Sequence, residues 1–197
     1  MATSIDTSQL IVEDTFVSAR GAKTARIKTT SGNRVVYTPD CYLNVAFEPS
    51  LFEKSKVADA RRLNLFLELA DRGVEEAIRN FELWIVEYIQ QNSERLLKRT
   101  LSPAEAKLGF SSCLSVSDKG YNTTLKTKID VAGTRKVICW DAEGKEMMSA
   151  LPERWKDVTV RPRMHLSHLW VMGQQFGVVI QVTDVEVTAK AHANPFK

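Results

Sequence analysis

The segment RRLNLFLELADRGVEEAIRNFELWIVEYIQ, residues 61–90, decides the fold because its hydrophobic period changes in the middle. In the first part, leucines stand at 63, 65, 67 and 69, with Asn64, Phe66 and Glu68 between them. A spacing of two is the period of a β-strand with one buried face. The residues ADRG then break the pattern, and Asp71 or Gly73 can cap a helix that follows.

From Val74 onward the apolar spacing becomes helical. It predicts an amphipathic helix of about 25 residues that ends near Lys98. Its apolar stripe carries the aromatic residues Phe81, Trp84 and Tyr88, which packing against a sheet explains better than a cofactor site does. Further on, Ser102-Pro103-Ala104-Glu105 has the spacing of a capping box with proline at the first helical position. This predicts a short second helix over 103–108.

Strand patterns lie on both sides of this helical segment. On the N-terminal side they are QLIVEDTFV (9–17) and TARIKTTSGNRVVYTP (24–39), the latter predicted as a hairpin with a Gly-Asn turn. On the C-terminal side they are YNTTLKTKIDV (121–131), RKVICW (135–140) and a long pair at 157–172 and 175–188. The predicted core is therefore all-β, with about seven strands.

The last two strands allow a register to be predicted. Gly173-Gln174 suits a two-residue type II′ turn, so opposed residue numbers sum to 347. Val171 then faces Phe176 on the apolar side, and Trp170 lies over Gly177 on the other side. A tryptophan over a strand glycine is a known cross-strand arrangement. The same register places Leu166 opposite Gln181.

These elements predict a mainly β fold with a helical insertion: a five-stranded OB-fold, or Greek-key barrel, with a long amphipathic helix between strands. A β-sandwich with a helical insert is the alternative. The expected organisation is a single OB-like domain over 1–190, with its helical insert at about 71–108 and a flexible C-terminal tail at 191–197.

Composition limits the classes of function. The 197 residues include 27 basic and 24 acidic ones, a net charge of +3, which is far from a histone-like composition. The three cysteines lack CxxC spacing and are typical of reduced thiols. The N-terminus MATSIDTSQL does not have the pattern of a secretory signal, and no apolar run approaches the length of a membrane helix. We expect a soluble, intracellular protein with no membrane partner.

Motifs for catalysis or cofactor binding are scarce. His165 and His168 form HxxH, but residues three apart on a strand point to opposite faces and do not share a metal without distortion. GxSxG, P-loop and GxGxxG motifs are missing from the sequence. We therefore predict no enzyme activity, no cofactor and no metal site. A carboxylate site assembled from distant positions, as in a nuclease or nucleotide enzyme, is the alternative.

A mixture of cations and aromatic rings on strand faces points to nucleic acid. In YNTTLKTKID (121–130), alternation places Leu125, Thr127 and Ile129 on one face and Thr124, Lys126 and Lys128 on the other. A groove for single strands needs cations for phosphates and rings that stack on bases. Singly, a strand lysine is more often a solvated edge residue and a tryptophan is usually core. The predicted nucleic-acid-binding residues are Arg26, Lys28, Arg34, Tyr37, Lys126, Lys128, Arg135, Lys136, Trp140, Arg161, Arg163, His168 and Trp170.

Four segments in order resemble the OB-fold single-stranded-DNA-binding proteins of large double-stranded DNA viruses and podophages. They are RVVYTPD (34–40), the leucine strand with its long helix, YNTTLKTKI (121–129) and HLWVMGQQFGVVIQVTDVEV (168–187). They match the family's segment ending in Thr-Pro, its strand and helix, its Tyr-x-x-Thr-Leu-basic strand and its closing aliphatic-Trp, turn, Phe-Gly, Gln-Val segment. The resemblance covers roughly residues 34–188.

The resemblance implies non-catalytic binding of single-stranded DNA in replication and recombination. It implies a homodimer or other homo-oligomer in the host cytoplasm or nucleus that recruits replication proteins through its C-terminus. By the same resemblance, Lys126 and Lys128 line the DNA groove and Trp170 belongs to the closing hairpin. Phage members typically end in an acidic tail with a terminal aromatic, whereas this chain ends AKAHANPFK, with Phe196 but no acid.

Two points stay open at the level of sequence. RNA is the alternative nucleic-acid partner. A structural or assembly protein of virion type, which docks a partner through the helix that carries Phe81, Trp84 and Tyr88, is the alternative function.

Overall fold

The computed structural model describes residues 4–14, 16–17, 23–51, 61–147 and 151–190. The predicted flexible tail at 191–197 lies outside these residues, and the single domain over 1–190 stays a prediction. The strands among the described residues are β1 (Leu10–Val12), β2 (Phe16–Val17), β3 (Lys23–Thr29), β4 (Val36–Tyr37), β5 (Leu43–Ser50), β6 (Arg62–Leu69), β7 (Phe110–Ser111), β8 (Leu114–Ser115), β9 (Thr123–Asp130), β10 (Ile138–Trp140), β11 (Val158–Met172) and β12 (Gln175–Ala189). The α-helices among them are α1 (Arg72–Gln91), α2 (Ser93–Leu97) and α3 (Pro103–Gly109).

Five of the longer strands pair in a closed ring. β5 pairs with β6, β6 with β9, β9 with β12, β12 with β11, and β11 with β5. Only the β9–β12 pairing in this ring is parallel. The chain order of the ring strands is therefore 1-2-3-5-4, the order of an OB-type Greek-key barrel. A continuous ring does not divide into two facing sheets, as a β-sandwich would.

The prediction of a mainly β fold with a helical insertion between strands is confirmed. The helices α1 to α3 lie between β6 and β9, the second and third strands of the ring. The strand count of about seven was too low, because strands of two residues such as β2, β7 and β8 carry no periodic signal.

Strand β5 has no counterpart among the predicted strands, although it closes the ring. Leu43 and Val45 are buried, as a strand with one core face requires. Register shifts at Phe47 then interrupt the pairing with β6, and Pro49 lies near the end of the strand. The alternation of apolar and polar residues is therefore too short to reveal β5 from the sequence.

The predicted N-terminal hairpin forms only at its turn. Gly32 has φ +81°, and its N–H donates to the Thr29 carbonyl. Lys28 and Arg34 form an isolated bridge, but β4 pairs with β11 and not with β3. The hairpin prediction is wrong beyond the turn, because β3 and β4 both use β11 as their long partner.

The long helix begins where the sequence predicts and ends earlier. Asp71 is its N-cap, and the Asp71 side chain accepts a hydrogen bond from the Val74 N–H at 3.0 Å. The helix breaks at Asn92, and α2 continues the path to a left-handed Lys98 at φ +60°. Ser102 and Glu105 form the predicted capping box at the start of α3, with Pro103 in the first turn.

The aromatic stripe of α1 packs on the core. Phe81 is 0% exposed, and Trp84 and Tyr88 are half-buried against the same cluster. The ring centroids of Phe81 and Trp84 are 6.1 Å apart, and those of Trp84 and Tyr88 are 5.2 Å apart. The packing interpretation of the stripe is therefore confirmed.

The closing hairpin has the predicted turn and most of the predicted register. Gly173 has φ +62°, and Trp170 faces Gly177 while Val171 faces Phe176. The pairing shifts by one residue between Leu166 and His168, so that Leu166 faces Ile180 and not Gln181. A second shift, between Arg163 and Met164, returns the remaining pairs to residue numbers that sum to 347. Such bulges are invisible to a register computed from the turn alone.

Candidate nucleic-acid interface

Strand β9 alternates as the sequence predicts. Leu125, Thr127 and Ile129 are buried inside the barrel, whereas Lys126 and Lys128 project from its outer surface. Thr127 is tolerated in the core because its hydroxyl donates a hydrogen bond to the Leu65 carbonyl at 2.9 Å. The two lysines therefore belong to a rigid outward face and not to a loop.

The neighbouring strand β6 adds an aromatic ring beside these lysines. Phe66 is the cross-strand partner of Lys126, and Asn64 is the partner of Lys128. Phe66 also meets Phe47 of β5 edge to face, with ring centroids 5.9 Å apart, and Phe47 is 61% exposed. We call this outer surface the basic–aromatic face: Phe47, Arg62, Phe66, Lys126 and Lys128, together with Asn64, which is only 5% exposed and accepts a hydrogen bond from Lys128.

No carboxylate among the described residues contacts the lysines of this face. Within the described ranges, the Lys126 side chain makes no hydrogen bond or ion pair, and Lys128 donates to the Asn64 side-chain oxygen and contacts no carboxylate. Burial, followed by the charges of Lys126 and Arg62, lowers the pKa of Lys128. The face therefore carries a positive potential that a bound anion would relieve.

Arg62 connects the face to the next strands. Its Nε lies 3.5 Å from Asp130, and its Nη2 donates to the Gln181 side chain at 3.1 Å. Gln181 in turn pairs with both Lys128 and His165 in the ladders of β12. The outer row thus continues from β6 across β9 and β12 to β11.

Several other predicted residues adjoin this row on β11 and β3. Burial and the charge of Arg34 lower the pKa of His165, while burial, Arg62 and His165 lower the pKa of His168 to about 4. Arg26 is the cross-strand partner of His168. Arg34 therefore adds positive charge beside the row, and Arg26 stands next to His168, whose imidazole is uncharged at neutral pH.

Lys28 differs from these cations. Its Nζ lies 2.5 Å from the Glu13 carboxylate, so its charge is compensated at the edge of the sheet.

A second group of predicted residues lies on the same outer surface, at the far end of β11 and β12. Arg161 pairs with Glu186, and Arg163 lies 3.8 Å from Asp184. Trp140 of β10 donates its Nε1–H to Asp184 at 3.3 Å. We call this group, with Tyr42, the charge-balanced end: Tyr42, Trp140, Arg161, Arg163, Asp184 and Glu186.

Three predictions for single residues need correction. Tyr37 is only 2% exposed, and burial raises its pKa to about 12, so its ring is core and has no free face for a base. Arg135 and Lys136 precede β10, which begins at Ile138, so they lie in a turn and not on the predicted strand.

The closing hairpin separates its two aromatic residues. Phe176 is 1% exposed and contacts Phe110, with ring centroids 5.9 Å apart. Trp170 is half-buried on the opposite side and covers Gly177, where an added Cβ would lie 2.9 Å from the indole ring. One face of the Trp170 ring therefore packs on Gly177.

Sequence reasoning missed Phe47, Tyr42, Arg62, Asn64 and Phe66. A signal existed for Asn64 and Phe66, because both stand between the buried leucines of β6 and must point outward. Phe47 and Tyr42 gave no such signal, since both lie in or beside the unpredicted strand β5.

Metal ligands and membrane-spanning helices have no candidates in the part of the chain that the structure describes. No group of three or more His, Cys, Asp and Glu side chains there could hold a metal ion. Among the same residues, no helix has the length and apolar character needed to cross a membrane.

No protein-family model and no curated protein matches this chain. Among solved structures, it is similar to gp2.5, a single-stranded DNA binding protein encoded by bacteriophage T7, with 14% identity, a TM-score of 0.46 and coverage of 80% of this chain and 93% of that chain. It is also similar to the single-stranded DNA-binding protein from bacteriophage Enc34, solved in complex with ssDNA, with 8% identity, a TM-score of 0.40 and coverage of 93% and 95%.

Proposed function

We propose that this chain binds single-stranded DNA, without catalysis, through the basic–aromatic face. One observation carries the proposal: Lys126 and Lys128 project from β9 beside Phe66, with no carboxylate partner among the described residues. Cations on a rigid surface meet phosphates, and adjacent rings stack on unpaired bases. The outer face of the second and third ring strands is also where OB-folds bind oligonucleotides.

The same chemistry predicts the binding preference. Stacking on a ring tolerates any base but needs the base to be unpaired. The chain should therefore prefer single strands to duplex and show little sequence preference.

Two other functions, an enzyme with a carboxylate site and a protein that docks a partner through α1, receive less support. For the enzyme, the buried carboxylate among the described residues is that of Glu82. It accepts hydrogen bonds from the Ser112 hydroxyl and the Cys113 N–H, both at 2.6 Å, and so has a structural role between α1 and the β7–β8 segment. Docking of a partner through the aromatic stripe of α1 is disfavoured because Phe81 is already fully buried in the chain.

The sequence resemblance supports a setting for this activity. We place the protein in DNA replication and recombination, as a homodimer or other homo-oligomer that works with replication proteins. Single-stranded RNA is the alternative ligand, since stacking on bases and binding of phosphates do not require a deoxyribose.

The test is a fluorescence titration with labelled oligo-dT and with a hairpin duplex of the same length. We expect tighter binding of oligo-dT, with and without magnesium. Equal affinity for the two ligands would overturn the proposal. A parallel titration with oligo-U measures the preference between DNA and RNA.

The decisive variant is Lys126→Ala/Lys128→Ala. We expect weaker binding of every sequence, and the slope of log K against log salt should decrease by about 0.7 for each lysine that had bound a phosphate of the single strand. Arg99→Ala/Lys107→Ala, which removes the same charge from exposed positions of the helical insertion, is the matched control and should change little. If both double variants behave alike, general charge and not this face binds the DNA.

A further inference from the structure

The charge-balanced end contains a row of four side chains across neighbouring strands. In the ladders of β12, Glu186 is the partner of both Arg161 on β11 and Trp140 on β10. Tyr42 immediately precedes Leu43, which pairs with Val160, so Tyr42 continues the row beyond Arg161. Two aromatic rings thus flank a central arginine–glutamate pair on the outer surface.

The polar edges of both rings are tied to carboxylates. The Tyr42 hydroxyl donates to Glu186, which also holds Arg161, and the Trp140 N–H donates to Asp184. The Arg161 guanidinium lies 6.0 Å from the Tyr42 ring centroid. Tyr42 is nevertheless 41% exposed, so part of its ring remains open to a ligand. The rings are therefore held in position before any ligand arrives.

The charges at this end cancel. Arg161 and Arg163 are matched by Glu186 and Asp184, so the surface offers a phosphate no net attraction. The Tyr42 phenol is neutral at neutral pH, and its hydrogen bond to Glu186 raises its pKa above the ordinary value. A fixed, uncharged aromatic surface suits a nucleobase, because stacking needs a ring face and no counter-charge.

The position of the row relative to the basic–aromatic face fits one continuous ligand. His165 lies in the row that contains Gln181 and Lys128, and Arg163 and Arg161 follow on the same outer face of β11. Arg161 lies four residue steps along the strand from His165, which is about 13 Å. A strand held at Lys128 therefore reaches the Tyr42–Trp140 row by continuing along β11.

We infer that Tyr42 and Trp140 form a second subsite that stacks on unpaired bases of the same strand and binds no phosphate. The inference rests on the proposed function, because it concerns the same DNA ligand. The basic–aromatic face and the Tyr42–Trp140 subsite then contribute differently to the affinity. The basic–aromatic face supplies the salt-dependent part of the affinity, and the Tyr42–Trp140 subsite supplies a salt-independent part.

The experiment compares Tyr42→Ala, Trp140→Ala and Tyr42→Phe with the unchanged chain, using oligo-dT of about 4 and about 16 nucleotides, the range of site sizes for one OB fold. We expect each alanine variant to bind the longer ligand roughly 5- to 150-fold more weakly. The salt slope should stay the same, and the short ligand should be affected less than the long one. Tyr42→Phe keeps the ring and should retain most of the affinity.

Tyr121→Ala is the matched control, since Tyr121 is an exposed tyrosine outside the row. A melting curve of each variant separates loss of stacking from loss of fold. Unchanged affinity of folded Tyr42→Ala and Trp140→Ala for the long ligand overturns the inference, as does a reduced salt slope. Should oligo-dT bind no better than duplex to the unchanged chain, the proposed function itself fails, whatever these variants do.

Discussion

The basic–aromatic face and the charge-balanced end lie on one outer surface and contain the same kinds of side chain. They differ in what stands opposite most of their cations, since Arg62 of the basic–aromatic face pairs with Asp130 but its two lysines face no acid among the described residues. Lys128 faces the amide of Asn64, whereas Arg161 and Arg163 face the carboxylates of Glu186 and Asp184. The lesson is that the count of cations on a strand does not give its potential, because the cross-strand partner decides whether the charge is available to a ligand.

The largest expected effect concerns the core beneath both regions. Phe176→Ala should lower the free energy of unfolding by about 3–5 kcal/mol, the usual range for a buried aromatic. Trp170→Ala, on the outer side of the same hairpin, should leave the fold largely intact and cost about 1–3 kcal/mol of DNA binding. Denaturant unfolding and oligonucleotide titration measure the two. Reversed phenotypes would mean that the inner and outer sides of β11 and β12 are misassigned.

A second experiment separates the two components of the basic–aromatic face. Phe66→Ala should weaken oligo-dT binding by about 1–3 kcal/mol, because it removes a stacking ring. The salt slope should remain, since Lys126 and Lys128 still bind phosphates. Leu83→Ala, which shortens an exposed apolar side chain of α1, is the control for the loss of an apolar side chain away from the face. A lower salt slope in Phe66→Ala would mean that the ring supports the lysines and does not itself bind.

A third experiment converts one region into the other. Glu186→Gln should leave the Arg161 charge uncompensated and make the charge-balanced end basic. We expect tighter binding at low salt and a salt slope that rises by about 0.7 if Arg161 then binds one phosphate. Glu76→Gln, at an exposed position of α1, makes the same change of charge elsewhere and should change the slope little. An unchanged slope in Glu186→Gln would show that the phosphates of the bound strand do not pass near Arg161.

The smallest effect is a pH dependence that only the basic–aromatic face should show. Burial, Lys126 and Arg62 lower the pKa of Lys128, so Lys128 loses its proton at a lower pH than an ordinary lysine. As pH rises above neutrality, DNA affinity should therefore begin to fall at a lower pH than it would with a lysine of ordinary pKa. Lys128→Arg, whose charge persists, should remove this early decline. An identical pH profile in Lys128→Arg would exclude Lys128 as its source.

Lys128 also predicts how stability depends on pH, and the direction is opposite to that of DNA affinity. The pKa of Lys128 is lower in the folded chain than in the unfolded chain. Between these two pKa values the unfolded chain binds more protons, so stability rises with pH. Below both pKa values the buried charge costs stability. Lys128→Met should therefore raise the melting temperature slightly at neutral pH while weakening DNA binding.

Much of the fold follows from periods that are local in the chain. The leucines of β6 alternate, α1 begins at Asp71, and Ser102 caps α3, and each of these needs only neighbours in sequence. The turn at Gly173 set the register of the closing hairpin as far as the first bulge. Strand β5 was not predicted from the sequence, because the irregular pairing at Phe47 interrupts the alternation of its buried and exposed residues.

The sequence by itself determined which side chains of β9 point outward, because the pleat fixes that alternation within a single strand. It also determined that cations and aromatic rings occupy such outward positions. Only the tertiary structure decided that Tyr37 is core, that Phe66 stands beside Lys126, and that acids neutralise Arg161 and Arg163. The physical reason is that charge compensation and burial depend on cross-strand neighbours, which are brought together by pairings between residues far apart in the chain.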